Sequence, residues 1–267
     1  MWEQGEGGKR IMYLTPDNYF SKEANEKYMS VSQFKSFQKC SFSALAEIKG
    51  NYVRETTTAL LVGSYVDAYF DGNLPNFIKD HPEILKKDKT LKSEYIQAND
   101  IINRIERDKL FSEYMSGEKQ VIMAGTINGI DVKIKIDSLH EDKIVDLKII
   151  KDFDNLYDAE KGTLQWWEYW GYDLQGAVYQ EIVRQNTGLK LPFYLAAATK
   201  EKTTDIDILH IPQKYLDFQL DIFKENVPLF DAIKKGIISP ERCEKCDYCK
   251  DTKVLTEPSE ADEYLLI

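Results

Sequence analysis

A chain of 267 residues with 43% hydrophobic and 12% aromatic side chains is long enough for one large domain or two small ones and can bury a sizeable core. No stretch approaches the roughly 18 apolar residues of a membrane span, and the opening MWEQGEGGKRIMYLTPDNYF lacks the apolar run of a secretory signal, so a soluble, cytoplasmic protein is expected. The formal net charge of −10 argues against a surface coated for nucleic-acid binding; a polyanion would need a local basic groove and bound metal ions.

Residues 1–27 are polar and glycine-containing and read as an irregular arm. Ser30 is a good N-cap type, and Val31, Phe34, Phe37, Leu45 and Ile48 carry mostly helical spacing through residue 50. A second helix is expected over 57–72, ended by Gly72, then a loop over 73–90 with Pro75 and Pro82, then a surface helix or helix pair over 91–115. The pattern then changes to short β-type runs. Asn128-Gly129 is the preferred two-residue hairpin turn, and SLHEDK is a polar turn joining the next two strands. A helix follows from about 169 with Gly188 past its end, then strands in LPFYLAAATK and TDIDILHI, then a late helix interrupted near Pro228. This order predicts an α/β fold with a central mixed β-sheet flanked by helices, organised as an arm (1–27), one domain (28–250) and a tail (251–267).

The acids in the β-region stand out. Side chains alternate along a strand, so Val132, Ile134 and Ile136 point one way and Lys133, Lys135 and Asp137 the other. In the next strand Val145, Leu147 and Ile149 form a core face, with Asp146 and Lys148 opposite. A hairpin brings Asp137 near Asp146, and two adjacent carboxylates repel unless a cation lies between them. Hard oxygen ligands select Mg²⁺ or Mn²⁺, which acidifies water and neutralises phosphoryl charge. Lys148 could orient or deprotonate that water, or stabilise the developing charge. The same pattern also suits a solvated strand face of alternating charge.

Asp137 followed by Asp146-Leu147-Lys148 resembles the D…(D/E)-x-K core of the PD-(D/E)xK nuclease superfamily, whose fold is the restriction-endonuclease-like core. QGAVY, Gln175 to Tyr179, resembles the Q-x-x-x-Y motif of its RecB-like branch, and MSVSQFKSFQKC resembles that branch's N-terminal segment. The resemblance runs from about residue 28 to 250 and is nearest to phage and prophage RecE-like exonucleases. Around the acids it departs in two places. GSYVD places Asp67 where many relatives carry a histidine ligand, four residues after Gly63, and Ile136 replaces the proline before the first acid. The resemblance implies Asp137, Asp146, the Leu147 carbonyl and Asp67 as metal ligands and Lys148 as a catalytic residue. It implies Gln175 and Tyr179 as DNA contacts or supports of the metal shell. Asp67 also reads as a solvent-facing helix carboxylate, and Tyr179 as a core aromatic.

Cys243, Cys246 and Cys249 form C-x2-C-x2-C, with Cys40 about two hundred residues earlier. Four thiolates suit a [4Fe–4S] cluster or Zn²⁺. The resemblance favours the cluster, although relatives often space the motif C-x2-C-x5-C. The implied function is a Mg²⁺-dependent DNA exonuclease digesting duplex ends 5′-to-3′ without ATP. The resemblance also implies a ring-shaped homo-oligomer with Lys133, Lys135 and Lys151 in its channel, working beside a single-strand annealing protein in phage recombination. The rivals are a single-strand end-trimming nuclease resembling those of CRISPR adaptation, and a catalytically silent DNA-binding scaffold. WWEYW (166–170) is expected to pack in the core or at a subunit interface. His81, His140 and His210 lack partners at ligand spacing and are assigned no role.

Overall fold

The computed structural model describes residues 2–4 and 10–258. A two-stranded ribbon, β1 (Trp2–Gln4) with β2 (Arg10–Met12), precedes the main body. The segment before residue 28 is not wholly irregular. Helix α1 (Lys22–Lys27) is capped by the Ser21 side chain, and Tyr19 and Ala24 are buried. The expected single helix after Ser30 is two. Ser30 and Gln33 form a reciprocal capping box at the start of α2 (Val31–Lys39). Cys40 then turns to an extended conformation, and α3 (Ser41–Lys49) begins.

Helix α4 (Thr58–Phe70) starts at the cap of Thr57, and Asp71 and Gly72 (φ 70°) follow it. The expected loop after it holds α5 (Leu74–Asp80), with Pro75 in its first turn, where a missing N–H costs nothing. The expected helix pair is α6 (Ser93–Glu106) and α7 (Lys109–Tyr114), and α6 buries Tyr95, Ala98, Ile101, Ile102 and Ile105 rather than lying on the surface.

Five strands form the main sheet in the order β3-β4-β5-β8-β9: β3 (Glu118–Ile127), β4 (Ile130–Leu139), β5 (Ile144–Ile150), β8 (Phe193–Thr199) and β9 (Ile206–His210). Asn128 and Gly129 both take positive φ in the β3–β4 turn, as such a two-residue hairpin requires. The β5–β8 pair is parallel and the others antiparallel, so the sheet is mixed, as expected. Between β5 and β8 run a small ribbon, β6 (Leu156–Asp158) with β7 (Gly162–Leu164), and then α8 (Trp166–Tyr169) and α9 (Tyr172–Thr187). Trp166 and Trp167 of WWEYW are buried, whereas Tyr169 and Trp170 are exposed.

Apolar side chains fill both sides of the sheet. Ile134, Ile136, Ile144 and Ile150 pack with α2, α9 and the long α10 (Gln213–Lys234). Val145 and Leu147 pack with α4 and α6. The face of β5 that carries Asp146 is thus also buried, and the picture of a solvated strand face fails. Gly176 lets α9 approach closely, because a Cβ there would lie 2.4 Å from the Phe193 ring of β8. Helix α10 is not interrupted at Pro228. Proline has no N–H for the carbonyl four residues back, and the Asn128 side-chain amide donates to that carbonyl, of Lys224, at 2.9 Å. A short helix, α11 (Asp247–Asp251), follows in the cysteine segment. Among the described residues no helix is long and apolar enough to cross a membrane.

Candidate active site

Strands β4 and β5 pair only at Ser138–Val145 and Leu139–Ile144. Beyond that point the ladder opens, and the Leu147 N–H donates to Asp137 Oδ2 at 2.9 Å. The acid thus stands in for a strand partner. Ile136 and Leu139 pack into the same core although a regular strand would place them on opposite faces. The alternation of β4 therefore breaks at Asp137–Ser138. Across the hairpin, Gln120 sits at φ 53°, and the ladder pairs Lys119–Ser138 and Val121–Ile136 but skips Gln120–Asp137.

A cleft of about 640 Å³ opens at this break, lined by Asp67, Asp71, Gln120, Asp137, Asp146, Lys148 and their neighbours. Asp146 is 1% exposed. Its Oδ1 accepts from Gln175 Nε2 at 2.8 Å, and its Oδ2 forms an ion pair with Lys148 Nζ. Burial, opposed by Lys148 and reinforced by Asp137, pushes the Asp146 carboxyl up to about 7. Burial alone would lower the Lys148 ammonium, but Asp146 and Asp137 outweigh it and hold it above the ordinary lysine range. The ammonium also lies 4.9 Å from the centre of the Tyr172 ring.

Gln175 and Tyr179 share one face of α9 and brace both acid-bearing strands. Gln175 holds Asp146 on β5, and the Tyr179 hydroxyl donates to the Lys135 carbonyl on β4 at 2.8 Å. Tyr179 is also a core aromatic, edge-on to Phe193. Asp67, on α4, lines the cleft beside Asp137 rather than facing solvent. Leu147 contributes its apolar side chain to the core and lines the cleft as well.

Three lining residues escaped the sequence reading. Asp71 follows Asp67 by one helical turn, a spacing that could have signalled it. Gln120 bridges Asp71 Oδ1 at 2.8 Å and Asp137 Oδ1 at 3.2 Å through its amide nitrogen, which no sequence pattern announces. Lys35 donates to the Trp170 carbonyl at 2.8 Å, and burial with the nearby Lys148 charge lowers it to about 8. Lys133 corrects an expectation. It lines the cleft but is almost fully buried, with its ammonium engaged by the Tyr19 carbonyl and Asn25 Oδ1 rather than free. Lys135 lines the cleft, and Lys151 is exposed beside Asp152.

The fit to a hard cation can be judged from the oxygens. Among the described residues, Gln120 Oε1 is a buried side-chain oxygen that accepts no hydrogen bond, and the buried Asp146 Oδ2 is met by the Lys148 ammonium alone. Both residues line this cleft. An orphaned buried acceptor is rare, and one beside four carboxylates, with Asp146 Oδ2 met by a lysine alone, suits a hard divalent ion.

The acids give a pH signature. Burial and the charge of Asp137 hold Asp67 well above the usual carboxylate range, and the same causes bring Asp71 to about 6. With Asp146 at about 7, each binds its proton more tightly folded than in an unfolded chain, where carboxyls titrate near 4. Their contribution to stability is therefore full at acid pH and is lost as pH rises from about 4, up to about 6 for Asp71 and about 7 for Asp146, and up to its own raised value for Asp67. In EDTA, the thermal midpoint is expected to fall from pH 5 to pH 7.5, and Asp67→Asn to reduce that fall. Calorimetry across this range checks it; an equal fall in parent and variant refutes the assignment to Asp67.

A second cluster lies at the corner between α2 and α3. The Sγ atoms of Cys40, Cys243, Cys246 and Cys249 all lie within 4.8 Å of one another. Cys40 and Cys249 are buried, with their sulfurs 3.6 Å apart. Glu244 turns the chain at φ 56°, and the Cys246 N–H donates to Cys243 Sγ at 3.3 Å. Four convergent thiols are compatible with Zn²⁺ or an iron–sulfur centre. The cluster ties the C-terminal segment to α3, where Ser41 Oγ and the Glu241 backbone bond each other.

Comparison with known proteins adds three findings. Residues 30–252 match a family model described as a PDDEXK-like domain of unknown function (DUF3799). A solved structure from Eubacterium rectale, described as "Putative exonuclease", is 47% identical, with a TM-score of 0.92 over 95% of this chain and 98% of that one. No curated protein matches.

Proposed function

We infer that this chain, which belongs to the DUF3799 family of PDDEXK-like domains, is a divalent-metal-dependent DNA exonuclease. The nuclease fold and the similarity to the Eubacterium rectale protein support the class of activity. The observation that carries the reading is the Asp137–Asp146–Lys148 constellation in the cleft, with the buried Asp146 at its centre and its Oδ2 against the Lys148 ammonium.

Asp137, Asp146, the Leu147 carbonyl and Asp67 are the residues that would hold the ion, Mg²⁺ or alternatively Mn²⁺. Such an ion supplies Lewis-acid neutralisation of the scissile phosphate and acidifies water. Lys148 does the rest from β5. Its ammonium stays charged against two carboxylates, so it donates hydrogen bonds: it orients the attacking water and neutralises charge gathering on the phosphate. A group held in its protonated form is poorly suited to take a proton. Gln175 and Tyr179 support the site by bracing β5 and β4 from the cleft wall. Lys35 and Lys135 give the cleft wall local positive charge on an otherwise acidic protein.

The reading extends, on the motif resemblance, to 5′-to-3′ digestion of duplex ends by a ring-shaped oligomer in the cytoplasm, leaving 3′ overhangs for a phage or prophage annealing protein. Duplexes labelled at either 5′ or 3′ end, incubated with Mg²⁺ or with EDTA, test it. Mononucleotide release from the 5′ end in Mg²⁺ only is expected. Trimming confined to single strands supports the CRISPR-adaptation type instead, and binding without cleavage supports the silent scaffold.

For the cysteines, the reading is one Zn²⁺ rather than a [4Fe–4S] cluster. Thiolates about 2.3 Å from a single tetrahedral ion lie roughly 3.8 Å apart. Cys249 Sγ lies 3.6 Å from Cys40 Sγ and 4.0 Å from Cys243 Sγ. A cube with iron at four corners carries one thiolate on each and spreads them farther. The site's role is structural, holding the α2–α3 corner whose Ser32, Gln33, Glu47 and Ile48 line the cleft.

A further inference from the structure

Gln120 combines three features that rarely coincide. It is a non-glycine residue at φ 53° inside strand β3. Its amide nitrogen is committed to two acids, Asp71 at 2.8 Å and Asp137 at 3.2 Å. Its amide oxygen is buried in the cleft wall and accepts nothing. The orientation of the amide follows from its neighbours: turned over, its oxygen would face two carboxylates and the contacts would become repulsive.

Left-handed backbone at a long-chain residue costs free energy and persists where the surroundings over-determine it. Here the distortion lies where the β3–β4 ladder skips the Gln120–Asp137 pair. A regular pair would seal the ribbon at this point. The skipped pair instead lets the glutamine reach from β3 to Asp71, at the end of α4, while still holding Asp137. Asp137 is then fixed on both sides, with Oδ2 on the Leu147 N–H and Oδ1 on Gln120. The carboxylate has little freedom left to rotate.

We propose that Gln120 is a positioning residue for the cation site: its amide N–H₂ sets the orientation of Asp137 against Asp71, and its free carbonyl oxygen accepts a hydrogen bond from water that arrives with the ion. This rests on the reading of the cleft as a divalent-metal site. It assigns the buried, unpartnered Gln120 Oε1 of the cleft, which that reading leaves unused. A purely structural alternative, in which Gln120 only links β3 to α4, makes a different prediction, because it ties the residue to stability and not to ion affinity.

Two substitutions separate these accounts. Gln120→Gly removes the amide while relieving the left-handed strain. Gln120→Asn keeps a residue that tolerates that conformation but is one methylene too short to span both acids. Mn²⁺ binding to the intact protein, followed by calorimetric titration and by the loss of the free-ion electron paramagnetic resonance signal, is the readout, with thermal midpoints recorded in EDTA. Both variants are expected to bind Mn²⁺ roughly tenfold or more weakly, as removal of groups that orient metal ligands commonly does. Their metal-free midpoints should stay within a few degrees of the parent. The Mn²⁺ concentration for half-maximal cleavage should rise in step. Parent-like Mn²⁺ affinity in both variants overturns the proposal alone, and a lowered midpoint with parent-like affinity assigns Gln120 to structure. A parent protein that binds no Mn²⁺ overturns the metal reading of the cleft and this proposal with it.

Discussion

Asp146→Asn is expected to abolish cleavage while leaving a folded protein. The substitution keeps shape and volume in a position that is 1% exposed, so no cavity opens. It removes the negative charge that faces Lys148 and replaces one carboxylate oxygen with an amide nitrogen that cannot ligate an ion. Charge neutralisation at a phosphoryl group by a bound ion is worth several kcal/mol, or roughly a thousandfold and more in rate. The loss should fall on kcat, and Mn²⁺ binding should weaken along with it. Fold stability should change far less, because the parent acid is itself held uncomfortably by burial, near 7. Lys148 keeps Asp137 as a remaining counter-charge. Single-turnover cleavage of an end-labelled duplex, circular dichroism and a melting curve decide the matter. Cleavage at the parent rate in the folded variant would remove Asp146 from the site.

Why these acids were visible in the sequence, and other members of the site were not, has a physical basis. A buried β-run with an acid and a lysine two apart violates the period of a core strand, and such a violation is local in sequence. Asp146 and Lys148 therefore announce themselves. The sheet, the Asn128-Gly129 turn and the α9 helix were equally legible because period and turn chemistry are local properties. Asp67 was found through its distance from Gly63, a matter of motif. Gln120 could not be found. Its importance lies in a backbone distortion and in contacts reaching 17 residues forward to Asp137 and 49 back to Asp71. Neither leaves a pattern in the residues around it.

The misread elements follow the same rule. The helical spacing from Val31 to Ile48 runs across Cys40 without a proline or glycine to mark a stop, so two helices looked like one. The break is set by tertiary contacts, since the residues flanking it bond Glu241 and pack near Cys249. Pro228 erred in the opposite direction. A proline inside a helical pattern normally ends or kinks it, but the orphaned Lys224 carbonyl is satisfied by Asn128 from the hairpin turn, and the helix continues. Lys133 looked like groove charge by strand alternation. It is buried because the preceding segment folds over it and supplies two acceptors, the Tyr19 carbonyl and Asn25 Oδ1.

Cys246→Ser is expected to lower thermal stability strongly and to free the C-terminal segment while sparing the acid cleft's own ion. Cys246 is half-buried at the start of α11, so serine fits in volume and the change isolates loss of a thiolate from loss of packing. A metal shared with Cys40 closes a loop of about two hundred residues. In the chain-entropy account, a cross-link over so long a loop contributes roughly 5 kcal/mol, depending only weakly on length. Three thiolates bind Zn²⁺ less tightly than four, and the segment from Glu241 to Thr252 would then be held mainly by the Glu241–Ser41 hydrogen bonds and by Arg242 and Tyr248 packing on Phe42. Limited proteolysis should cut there first, and the melting transition should fall by many degrees. The purified parent should be colourless with one zinc per chain, whereas a brown parent rich in iron and sulfide would replace zinc with a cluster. A parent free of both metals, with a variant that melts alongside it, would reduce the four cysteines to plain thiols. Asp137, Asp146 and Lys148 would keep their geometry in that case, because no bond between them and the cysteines carries it.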